Sequence, residues 1–158
     1  MKFEEAERIQ LEAGKRLLAV SSKTASDAVR GDLGWWTMRT RRDYKALSFW
    51  GRLCRMKDHR LARAIYLQSK GRASKSMTDW CCRTKKTLCS LGLGHLWVTE
   101  QVGAAADWKN LLKSSLQERE QREWLRRLEE KDKLRLYRTL KTTLKKEDYL
   151  ELDVEARR

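Results

Sequence analysis

No proline occurs anywhere in the 158 residues. Proline removes a backbone donor and clashes with the preceding helical turn, and loops commonly recruit it. A chain without it is expected to run in long helices joined by short turns. Apolar residues make up 41% of the chain and include seven tryptophans, which argues against disorder and for a real core. The expected fold is all-α, with five to seven helices in one or two small bundles and no significant sheet.

Apolar spacing places the helices. Phe3, Ala6, Ile9, Ala13 and Leu17 recur at helical intervals, behind acidic residues in the first turn. Ser26 or Asp27 is positioned to cap a short helix that stops at Gly31 or Gly34. A longer helix is expected from about Thr37 to Met56, and another from about Asp58 to Ser69. Ser76 with Asp79 resembles a capping box, and the helix that follows should end at the glycines of LGLG. Trp97-Val98-Thr99 is the stretch with most extended character. Asp107 opens the longest helix, to about Glu130; Lys131–Leu140 and Glu147–Leu152 give shorter pieces. The polar segment KGRASKS, residues 70–76, reads as a joint. It divides the chain into an N-terminal helical part, 1–70, and a C-terminal one, 71–158, unless the two form one continuous domain.

The formal charge of +14 suits a polyanionic partner, and it is unevenly spread. Residues 35–75 hold twelve basic and two acidic side chains, while residues 1–34 are neutral overall. Within that basic stretch Arg41, Lys45, Ser48, Arg52 and Arg55 fall on one helical stripe, and Tyr44, Leu47, Trp50 and Cys54 on the neighbouring face. A helix with one side to dock and one basic side to present is suited to phosphate contacts, which carry affinity with little sequence preference. The competing reading is a solvated face. Arg39 and Arg42 flank the stripe. Trp35 and Trp36 precede it, and because neighbours cannot both face inward on a helix, one of them is a candidate to stack on an unpaired base. Trp50, Trp80, Trp108 and Trp124 read as core.

Other chemistry finds little support. Cys81, Cys82, Cys89 and His95 are spaced by one, seven and six residues, unlike the paired ligands of a structural zinc site. Together with Cys54 they read as reduced thiols of an intracellular protein, nuclear or cytoplasmic and not secreted. The N-terminus lacks the apolar core of a signal peptide, and no stretch is apolar enough to span a bilayer. There is no Gly-x-Ser-x-Gly, phosphate-binding loop or His-Glu-x-x-His. The acidic residues of 117–158 alternate with Lys and Arg, as on a salt-bridged surface. No catalytic residue, metal or cofactor is expected.

The string AVRGDLGWWTMRTRRDYKALSFWGRLCRM, residues 28–56, followed by RLARAIY, resembles the region C-terminal to the polymerase in non-LTR (LINE-type) retrotransposon proteins. In that family a DLG-like turn precedes a helix with a Lys-x-x-x-x-Trp-x-x-Leu pattern, here Lys45, Trp50 and Leu53. The tail KLRLYRTLKTTLKKEDYL is similar to the family's Lys-Leu-Arg-x-Tyr stretch and Tyr-Leu ending. The resemblance covers roughly residues 22–152. It implies a helical post-polymerase segment that helps to hold template RNA or target DNA, with the upstream polymerase domain as a further partner. The family's aromatic-x-Asp-Asp pair and endonuclease residues do not occur here, so no catalytic role carries over. The resemblance also implies a piece of a longer protein, in which Met1 is internal.

The leading expectation is therefore a non-catalytic, nucleic-acid-binding accessory segment, contacting RNA or DNA through Arg41, Lys45, Arg52, Arg55, Arg39 and Arg42, with Trp35 or Trp36 stacking. The alternatives are a helical protein-interaction module anchored by Trp124, Leu125 and Leu128, and a helix-turn-helix pivoting at Met56-Lys57-Asp58.

Overall fold

The computed structural model describes residues 3–72 and 79–151. Among them are eight α-helices and two short 3-10 turns, and no strand. The fold is all-α, as the missing proline and the periodicity indicate. The helices are α1 (Phe3–Leu17), α2 (Ser26–Leu33), α3 (Met38–Cys54), α4 (Leu61–Arg72), α5 (Trp80–Ser90), α6 (Leu96–Thr99), α7 (Ala105–Glu129) and α8 (Arg135–Leu140). The helix that the apolar spacing does not place is the short α6; the piece expected over Lys131–Leu140 forms a 3-10 turn and α8.

Local expectations hold best at helix ends governed by glycine. Gly34 adopts φ 60°, and the Gly34 and Trp35 N–H groups donate to Gly31 and Arg30 carbonyls. This is the double bond pattern that ends helices on a left-handed residue. Two N-terminal expectations need correction. The residue flanking α2 is Ala25, and no side chain caps it there. Asp27 lies inside the helix, where its carboxylate binds Arg127 at 2.9 Å and also Lys131. Asp107 likewise lies inside α7, whose first residue is Ala105. Trp97-Val98-Thr99 is helical rather than extended, because burying Trp97 in an aromatic core outweighs the β preference of Val98 and Thr99. Asp79 flanks α5 without a side-chain cap bond, while Ser76 and residues 73–75 of the joint lie outside the described residues.

The chain divides into two compact units, residues 1–40 with 117–158 and residues 41–116. The division falls within α3 and α7, and residues on both sides of position 70 share one unit.

In the first unit Trp124, Leu128, Leu134 and Leu144 form the core, with Trp36, Leu125 and Tyr137 packed around it. Trp124 Nε1 donates to the Asp27 carbonyl at 2.8 Å. Glu120 is fully buried and accepts from the hydroxyls of Thr40 and Thr37, which satisfies a carboxylate that would otherwise be costly to bury. Glu7 of α1 accepts from the Met38 and Arg39 N–H groups at 2.7 and 3.3 Å and binds Arg30 at 2.5 Å. The first turn of α3 is thus capped from another helix as well as by Thr37, whose hydroxyl accepts from the Thr40 N–H.

In the second unit Leu47, Trp50, Leu53, Tyr66, Leu88, Trp97, Trp108 and Leu112 are buried together. Trp97 stacks on Trp50 with ring centroids 6.1 Å apart, and Tyr66 meets Trp97 edge-on at 6.2 Å. Trp80, expected in the core, is half-buried at its margin.

Candidate nucleic-acid interface

The candidate surface lies on α3 in the second unit, and the burial pattern explains why. Leu47, Trp50, Gly51 and Leu53 are buried on one arc of the helix. At about 100° per residue, the opposite arc carries Arg41, Arg42, Lys45, Phe49 and Arg52. All five are exposed. Arg55 is exposed too, but it follows the last helical residue, Cys54, so the regular stripe ends at Arg52. Arg41 to Arg52 covers about 16 Å at 1.5 Å per residue.

Arg42 lies 3.5 Å from the Asp43 carboxylate. Among the described residues no ion pair joins Lys45, Arg52 or Arg55 to an acidic side chain. Like charges at helical spacing repel one another, and a bound polyanion relieves that repulsion. Residues 41–116 hold sixteen basic and five acidic side chains, a net of +11 of the chain's +14.

The remaining sequence candidates fall in the first unit. Arg39 is exposed in the first turn of α3. Trp35 and Trp36 are both half-buried. Trp36 packs on the Trp124 core, and its carbonyl accepts from Gln10 at 3.0 Å. The Trp35 ring lies over Gly14 of α1, where there is no side chain to hold it away. Sequence reasoning missed Phe49, which periodicity alone does not distinguish from the apolar residues beside it.

One polar cluster in the second unit is built for holding the fold. Glu100 adopts φ 53°, a left-handed conformation uncommon for a residue with a side chain. Its carboxylate accepts from Arg63 and Lys70, each at 2.5 Å, and from the Tyr66 hydroxyl at 2.9 Å. The same hydroxyl accepts from Trp50 Nε1 at 3.0 Å. Burial pushes the Glu100 carboxyl up, but the bonds from Lys70, Arg63 and Tyr66 outweigh it and hold the pKa below the usual value. Burial pushes the Cys54 and Cys81 thiols up to about 11, which leaves them as weak nucleophiles at neutral pH. Among the described residues no three Cys, His, Asp or Glu side chains are placed to hold a metal ion, and no helix is long and apolar enough to cross a membrane.

Burial also corrects the anchors of the protein-interaction reading. Trp124 and Leu128 are fully buried in their own core, and Leu125 packs against it. The helix-turn-helix reading meets a longer link than it needs, since six residues separate Cys54 from Leu61 where that motif uses about three or four.

Comparison with protein-family models, curated proteins and solved structures finds no match to this chain.

Proposed function

We propose that this chain is a non-catalytic, nucleic-acid-binding accessory segment, acting inside the cell, that holds RNA or DNA by its phosphates through the exposed face of α3. The observation that carries the reading is the arc of Arg41, Arg42, Lys45 and Arg52, of which Lys45 and Arg52 have no carboxylate partner among the described residues. The concentration of charge in residues 41–116 supports it. So does the resemblance of residues 28–56 and 133–150 to the post-polymerase region of LINE-type reverse transcriptases, whose upstream polymerase would be the natural partner. Replacing Arg41, Lys45, Arg52 and Arg55 together by Glu is expected to abolish retention of RNA and DNA on a filter. Undiminished retention overturns the proposal.

A second reading has its own observation. Leu61 and Ile65 lie one turn apart on α4 and are 76% and 54% exposed. Such a pair suits an apolar helix partner. Sedimentation of the full chain at rising concentration tests it: self-association that Ile65→Glu removes supports this reading, and a monomer that recruits no partner through α4 counts against it.

A further inference from the structure

We infer that Phe49 is a base-stacking residue, so that the basic face of α3 selects single-stranded nucleic acid over duplex. This rests on the nucleic-acid reading above and names the substrate class of the same surface.

Phe49 is 46% exposed although its helix neighbours Leu47, Trp50 and Leu53 are buried. It lies four residues from Lys45 and three from Arg52, the spacings at which side chains adjoin on a helix surface. The ring is held in place. It meets Trp80 edge-on, with centroids 5.8 Å apart and planes at 67°, and Trp80 is braced in turn against Tyr66 at 6.5 Å and 83°. A ring already oriented by its neighbours loses little freedom when a base stacks on it. Arg83, one turn beyond Trp80 on α5, is exposed as well.

This combination separates the two forms of nucleic acid. Lys45, Arg52 and Arg41 attract the phosphates of either form. An exposed aromatic gains only from a base whose face is free, and in a duplex those faces are already stacked on one another. An apolar protein partner is disfavoured at the same spot, because covering Phe49 would strip water from the adjacent cations without pairing them.

The test uses the full chain with a labelled oligothymidylate, alone and paired with oligoadenylate, read by fluorescence anisotropy. The single strand is expected to bind more tightly. Phe49→Ala should weaken single-strand binding roughly tenfold while duplex binding stays within about twofold. Phe49→Trp should restore the preference. Phe49→Leu, which keeps apolar bulk without a π face, should behave as Phe49→Ala does. Circular dichroism of each variant confirms that α3 is intact. An unchanged ratio of single-strand to duplex affinity in Phe49→Ala overturns the inference, as does a Phe49→Leu variant that binds like the parent. If the fourfold charge reversal abolishes binding while the Phe49 variants are silent, this inference alone fails. If the charge reversal has no effect, the phosphate reading fails and takes this inference with it.

Discussion

The Tyr137 hydroxyl donates to the Asp32 carboxylate across 2.7 Å, joining residues 105 positions apart. The bond ties Tyr137 of α8 to the Asp-Leu-Gly turn at the end of α2. The same turn is held twice more. The Glu147 N–H donates to the Asp32 carbonyl at 2.9 Å, and Gly34 lies so close to the backbone of Lys145 and Lys146 that a methyl group there would overlap it. The turn that ends α2 and the segment around Tyr137 and Glu147 therefore meet within the first unit. Tyr137→Phe is expected to cost about 1–2 kcal/mol in urea unfolding, because it leaves a part-buried carboxylate without its donor. Asp32→Asn should cost less when Tyr137 is already Phe than when it is intact. Strict additivity of the two changes would show that the bond contributes nothing.

Gly51 reverses the usual effect of replacing glycine in a helix. Alanine in a helix interior is normally favoured by about 1 kcal/mol. Here an added Cβ would fall inside the Trp108 indole, whose Nε1 donates to the Leu47 carbonyl at 3.1 Å. Gly51→Ala should destabilise by about 1–3 kcal/mol, the range for overfilling a packed core. A raised melting temperature would refute the close approach.

Acid should weaken the second unit through Glu100. Its carboxyl pKa is lowered in the folded chain, so its contribution is complete above the unfolded value of about 4.3 and is lost as pH falls through the folded value. Thermal unfolding below about pH 4.3 should therefore show a steeper loss in the parent than in Glu100→Gln. Parallel acid limbs for the two proteins would contradict the assignment.

Salt gives an independent measure of the phosphate contacts. If Arg41, Lys45, Arg52 and Arg55 each neutralise one phosphate of a single strand, log affinity should fall against log salt with a slope of roughly −3. Each single replacement by Ala should reduce the slope by roughly 0.7. A slope near zero would exclude phosphate-driven binding.

How much of this could be read beforehand depends on the range of each interaction. The basic face of α3 is a local pattern, because the intervals between Arg41, Lys45 and Arg52 follow from helical geometry alone. The end of α2 is local too, since Gly34 needs no distant partner to adopt its left-handed turn. Phe49 is different. Whether an apolar residue at that angle is covered depends on where Trp80 arrives from α5, and nothing near position 49 encodes that. The same holds for Trp124, Leu125 and Leu128, which look like free anchors along α7 until the core around Tyr137 and Leu144 closes over them.

By itself the sequence determined the helical class, the placing of most helices and the side of α3 that bears charge. Proline content, apolar period and glycine position act over one or two turns, and their effects survive whatever the rest of the chain does. Only the tertiary structure decided which polar groups are satisfied and which rings stay in water. Glu7 caps the first turn of α3 from 31 residues away, Glu100 gathers Arg63, Tyr66 and Lys70, and Asp27 gives up a capping role to bind Arg127 and Lys131. Each is a choice among partners that the chain brings together only on folding, because a buried charge takes whichever donors surround it.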